Sequence, residues 1–240
     1  MCSDTIADLL TRNLGKHMAE GKAVLISLLI NIVIPVIILL RFSGPTYLGP
    51  LYGLLLAIAF PIGYGIYDLA AAGNVNLLSI IGIIGVGLTG SIGILHLDPE
   101  LVAIKEAGVP LTIGLIIIIS EKTRFSIVRK LFEKVLAMEK ITAALHHQGT
   151  RDAFDRRFSH ASYFFGASFF LSAALNYMLA KIIVVSPPGT VAFNNELGYM
   201  TALSFPVIAL PMIAVLGLIF WYLLNGIKEE TGLEFEALFR

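Results

Sequence analysis

The sequence holds a single cysteine, Cys2. An intramolecular disulfide is therefore impossible, and one thiol cannot build a cysteine-based zinc site or an iron–sulfur cluster. Charge is scarce too: Asp, Glu, Lys and Arg make up 14% of the 240 residues, and 17 basic side chains balance 17 acidic ones. Zero net charge and a pI near 7 argue against a nucleic-acid partner, because neutralising phosphates takes a basic excess on some exposed face. No histidine sits in the middle of an apolar run, which leaves no intramembrane bis-histidine haem, and His146, His147 and His160 lack the cysteine or carboxylate spacing of a closed metal site. Serines and threonines show neither a nucleophile elbow nor a triad. No catalytic residue, metal or cofactor is expected, and so no enzyme.

What the chain has is apolar length. Hydrophobic residues reach 57% and mean hydropathy is +0.84, outside the range of soluble chains. A helix needs about 20 apolar residues to cross a hydrocarbon core roughly 30 Å thick. Six runs qualify: Ala23 to Leu40, Tyr47 to Leu69, Asn76 to Leu95, Leu101 to Ser120, Ala161 to Val185 and Met200 to Leu224. The runs are continuous rather than alternating, which excludes a barrel. The expected fold is all-α: a polytopic membrane protein of six transmembrane helices, arranged as three helical hairpins plus a cytoplasmic amphipathic helix. It forms a single membrane domain, with a cytoplasmic N-terminal segment over 1–22, four spans within 23–120, a connector over 121–160, two spans within 161–225 and a cytoplasmic tail over 226–240.

Orientation follows from the basic residues, which short cytoplasmic loops retain. With the N-terminus inside, 14 of the 17 Lys and Arg fall on the cytoplasmic side, leaving Arg41, Lys105 and Lys181 opposite. Both termini are thus expected in the cytoplasm. Within the connector, Val128, Leu131, Phe132, Val135, Met138, Ile141 and Leu145 recur at helical spacing among Lys122, Arg124, Arg129, Lys130, Lys134 and Lys140. The segment 122–145 reads as a basic amphipathic helix, either binding anionic membrane lipid or a partner, or simply lying at the interface.

A weak internal repeat runs through the outer turns. Pro50 is followed eleven residues later by Pro61, and Pro99 by Pro110; Pro187-Pro188 precede a run with Pro206 and Pro211, and Val102-Ala-Ile-Lys-Glu106 echoes Val191-Ala-Phe-Asn-Asn195. Three parallel hairpins, the second helix of each broken by proline, would produce this pattern. Gly85, Thr89 and Gly93 recur every fourth residue in the third run, a spacing that lets helices approach closely or lines a ligand path.

Ionisable and amide groups inside spans are costly and so are the candidates for function. Asn31 and Asn176 lie deep; His96, Lys105, Glu106, Asn194 and Glu196 gather toward the outer side. Converging, they would line an outward-facing vestibule that binds a solute, an ion or a lipid. Paired locally, they would only hold helices together. Asp68, after two tyrosines at the inner end of the second run, either gates access or ends the span.

The stretch Gly87-Leu-Thr89, His96, Asp98, Ile104-Lys105 and Pro110, then Phe169-Phe170, Leu175-Asn176-Tyr177, Ala180, Val191, Phe193 and Gly198 resembles the bacterial intracellular septation protein A. A related group of uncharacterised bacterial inner-membrane proteins is more similar still, around Lys105-Glu106-Ala107 and Phe193-Asn194-Asn195-Glu196-Leu197-Gly198. The resemblance spans about Asn76 to Pro211. Lys105 and Pro110 are separated by Glu-Ala-Gly-Val, where that family has a second lysine before its proline, and Phe193-Asn194 replaces its Phe-Lys. It implies an inner-membrane protein of the cell envelope acting through division or envelope proteins; a homo-oligomer is a further partner to consider. Two functions stand: translocation or binding of a small solute, ion or lipid, and a non-transporting septation or envelope scaffold.

Overall fold

A computed structural model of the protein describes residues 21–22, 25–72, 77–123 and 126–239; the side chains of 69, 71–72 and 77–82 are not described. Residues 1–20 of the expected N-terminal segment, Asn76 at the head of the third apolar run and Arg124 of the basic stretch lie outside the described residues. All regular structure among the described residues is helical. We name the helices α1 (Leu25–Phe42), α2 (Gly49–Ala72), α3 (Leu77–Ile94), α4 (Glu100–Glu121), α5 (Ile127–Glu133), α6 (Met138–Gln148), α7 (Arg151–Ile183) and α8 (Val191–Thr231), with a final 3₁₀ turn at Phe235–Leu238. The segments Leu25–Phe42, Gly49–Asp68, Glu100–Glu121, Arg151–Ile183 and Val191–Thr231 are long and apolar enough to cross a bilayer, and α3 contributes a shorter apolar stretch, Ile83–Ile94. The protein is an all-α membrane protein.

Proline shapes two of these helices and not two others. In α1, Pro35 sits in a single α turn (Ile34–Ile37) flanked by π turns at Leu29–Val33 and Ile38–Phe42. Its ring lacks an N–H and crowds the carbonyl four residues back, so the ladder widens and Ile34 donates to Leu29, five back. The same happens at Phe205–Ala209 around Pro206, where Leu210 donates to the Phe205 carbonyl. Pro61 and Pro110 lie within α2 and α4, which remain α-helical throughout. Both helices begin beside the first proline of their pair, Pro50 or Pro99, as the repeat expects.

The chain packs as two compact units. Unit 1 comprises residues through Val102 plus Ile183–Ala202; unit 2 comprises Ala103–Ile182 and Leu203–Arg240. In unit 1, α2 and α3 pack antiparallel. A Cβ placed on Gly93 would meet Leu54, one on Gly90 would meet Ile58, and one on Gly65 would meet Ile83, so one register falls as the other rises. Gly198 of α8 admits Leu40 and Leu39 of α1 in the same way. These close approaches let Leu54, Ala57, Ile92, Phe193 and Leu197 bury fully. The expected stripe of Gly85, Thr89 and Gly93 is thus only partly used. Gly93 meets a neighbour, Gly85 faces open space, and Thr89 turns its hydroxyl back onto the Gly85 carbonyl. Gly90, one residue beyond Thr89, completes the packing face.

Unit 2 departs most from expectation. The segment 122–145 is two short helices, α5 and α6, because the ladder stops at Lys134–Ala137, where the Ala137 amide donates to Leu238 of the chain's last turn. α7 begins at Arg151, ten residues before the expected span, and its 33 residues extend about 50 Å, well beyond what a bilayer requires. The residues expected as a tail are packed through 239: α8 runs to Thr231, is closed by Gly232 in the left-handed region, and Leu238 is fully buried. Around the excess length of α7 gathers one core of Ile117, Val128, Leu136, Ile141, Leu145, Phe154, Phe158, Leu223, Ile227 and Leu238. Most of the apolar face of the amphipathic segment is spent on this core.

Candidate functional site

Three of the candidates expected on the outer side lie in unit 1, and two of them, Glu196 and His96, hold the loop between α7 and α8. Glu196 accepts the amides of Val185 and Ser186, at 2.9 and 2.8 Å, on one carboxylate oxygen and the Ser186 hydroxyl on the other. The carboxylate thereby supplies acceptors that the chain lacks just after α7 ends. His96 bonds the Pro188 carbonyl through Nδ1 at 2.8 Å; a carbonyl can only accept, so the proton resides on Nδ1. His96 is the one non-glycine with positive φ among the described residues, at +52°, and its ring lies where a Gly189 side chain would stand, 2.0 Å from that position. Gly189 also has φ +82°, so backbone and space both demand glycine.

Asn194 is fully buried. Its amide nitrogen donates to Ser43 Oγ at 3.0 Å and to the Pro50 carbonyl at 2.8 Å, tying α8 to the turn between α1 and α2. The Pro50 partner fixes which end of the amide is nitrogen, and leaves Oδ1 buried without a donor; the Oδ1 of Asn195 is in the same state. Thr190 completes this end by capping α8 through the Phe193 amide.

Lys105, Glu106, Asn176 and Asn31 bond close to home. In unit 2, Lys105 and Glu106 bond each other at 2.6 Å at partly exposed positions. Asn176 donates to Ser172 O and Oγ one turn back, and Asn31 in unit 1 does the same with Ser27. Asp68 is exposed near the end of α2. The Val102 and Val191 segments that echo in sequence differ in burial. Val102 and Ala103 are buried in one, Phe193 and Asn194 in the other, so the pattern slips along the helix.

No family model, curated protein or solved structure matches this chain. The site is therefore read from its own chemistry.

Sequence reasoning passed over a second polar cluster, in unit 2. Arg157 donates to Glu230 at 2.9 Å and to Glu229 at 3.3 Å, and its guanidinium lies 5.4 Å from the centre of the Tyr222 ring. Gly226 makes room, since any Cβ there would strike the Arg157 side chain. Thr150 and Gln148 bond the Glu230 and Thr231 carbonyls, closing the end of α8. Arg129 lies over the Phe154 and Phe158 rings while bonding Asp155. The only signal in the sequence is the adjacency of Arg156-Arg157 and Glu229-Glu230, 73 residues apart, which no periodicity links.

Proposed function

We propose that the chain is a six-span bacterial inner-membrane protein acting as a non-transporting scaffold of the cell envelope, of the kind that intracellular septation protein A represents. The helices α1, α2, α4, α7 and α8 are long and apolar enough to cross, and the shorter apolar α3 supplies the sixth span in this reading. The distribution of Lys and Arg supports cytoplasmic termini. One observation carries the scaffold reading: the polar groups placed to form a vestibule are engaged in holding backbone or each other. Glu196 holds the Val185 and Ser186 amides, His96 the Pro188 carbonyl, Lys105 and Glu106 one another, and each deep asparagine a serine on its own helix. A group so engaged must break its bonds to serve a substrate.

Translocation or binding of a small solute or ion keeps one specific support, the buried acceptor on Asn194 that lacks a donor. Purified protein in proteoliposomes separates the two. A scaffold gives no flux of protons, alkali cations or small solutes above empty vesicles, and photo-crosslinking from position 142 on α6 in living cells captures discrete envelope or division proteins. Protein-dependent flux abolished by Glu196→Gln or Glu106→Gln, with the folded yield unchanged, overturns the scaffold reading.

A further inference from the structure

The helix α5 is apolar on two sides. Val128, Phe132 and Leu136, spaced by four, turn into the core of unit 2. Ile127, Leu131 and Val135, the same spacing displaced by one residue, are 37%, 50% and 50% exposed. Within α5 a displacement by one residue rotates a stripe by about 100°, so Val128 with Phe132 and Ile127 with Leu131 lie on separate faces, and Leu136 and Val135, in the turn just beyond the helix, divide the same way by burial. Protein covers the first, and Lys122 and Lys134, both exposed, bracket the second in sequence.

The position of α5 identifies what covers that second face. α4 is long and apolar enough to cross a bilayer, and it ends at Glu121. The Ser120 hydroxyl there accepts the amide of Ile127, the first residue of α5, at 3.3 Å. α5 is thereby pinned to the end of a span, where hydrocarbon gives way to headgroups. A bare apolar stripe edged by lysines at that depth matches an anionic bilayer surface: methyl groups reach the acyl boundary and ammonium groups reach phosphate.

We infer that α5 and the turn that follows it form an interfacial anchor, seating Ile127, Leu131 and Val135 in the membrane surface with a preference for anionic phospholipid set by Lys122 and Lys134. This narrows the lipid expectation for segment 122–145 to one face over residues 127–135, and it holds for a scaffold and a translocator alike. Val128, Ile141 and Leu145, which the sequence groups with that face, belong to the core instead.

Trp221 is the sole tryptophan, so Trp221→Phe clears the background for a reporter. In nanodiscs of mixed phosphatidylcholine and phosphatidylglycerol, Leu131→Trp should emit in the blue and be quenched by brominated lipid. Thr142→Trp, on the exposed face of α6, should be neither. Quenching should be stronger with bromine on phosphatidylglycerol, and Lys122→Gln with Lys134→Gln should reduce that preference about threefold or more. If Leu131→Trp lowers the folded yield, Val135→Trp reports on the same face. A red-emitting, unquenched reporter at both positions overturns the anchor. So does blue emission that ignores bromine while copies of the chain cross-link through position 131, which would assign the stripe to a second copy. Equal quenching by both lipids overturns the role of the lysines.

Discussion

The two units solve the same problem, closing the ends of long apolar helices, with opposite chemistry. Unit 1 uses single polar side chains aimed at backbone: Glu196 at two amides, His96 at one carbonyl, Asn194 across to Ser43 and Pro50. Unit 2 uses a continuous hydrophobic core, Phe154 and Phe158 with Ile141, Leu145 and Leu238, and lays ion pairs over it. The contrast follows from the solvent. Between helices in lipid there is no hydrophobic drive, so directional bonds and close approach decide the packing. Where α7 outruns the bilayer, burying apolar surface away from water becomes the main stabilising term again.

That comparison can be broken at its strongest point first. Phe158→Ala should destabilise unit 2 by about 3–5 kcal/mol, seen as a lower midpoint of thermal unfolding in detergent and as protease cleavage between α5 and α7. An unchanged cleavage pattern would mean that the core is not what holds this end. Glu196→Gln keeps the shape but removes the charge from three hydrogen bonds, and should cost about 1.5–3 kcal/mol, with cleavage appearing at 185–190 while unit 2 keeps its protection. Gly189→Ala should cost about 1–2 kcal/mol from the left-handed backbone alone, plus a clash with the imidazole. The same change in a His96→Ala background should lose less, and equal losses would remove the histidine from this contact. The smallest effect is expected for Ser172→Ala, at most about 1 kcal/mol, since Asn176 keeps the Ser172 carbonyl as acceptor. A larger loss would show that Asn176 depends on the hydroxyl.

Much of the membrane architecture is legible in the sequence because hydrocarbon thickness sets a length that a run of apolar residues either meets or does not. The helices α2, α3 and α4 begin and end within a few residues of their expected runs. The charged end was not legible in the same way. Val128, Ile141 and Leu145 carry helical periodicity, but nothing in them says that Leu238, nearly a hundred residues on, will supply the amide partner that splits the segment in two. For the candidate site, residue type located the groups and depth selected them. Their partners were hidden because His96 reaches Pro188 and Asn194 reaches Ser43 over separations of 92 and 151 residues. The packing glycines erred by one position: a four-residue repeat picks a stripe, and only the facing side chains, Leu54 and Ile58, decide which edge of it is used.

The pairing of Asn31 with Ser27 and of Asn176 with Ser172 bears on how the chain is made. A helix leaving the translocon must be acceptable to lipid before its neighbours arrive, and an unsatisfied amide is costly for it to carry. With a serine hydroxyl and carbonyl one turn back, the amide nitrogen of each asparagine finds acceptors in its own segment as soon as the helix forms. These two spans can therefore partition singly, in the order in which they are synthesised, and wait in the bilayer for the rest.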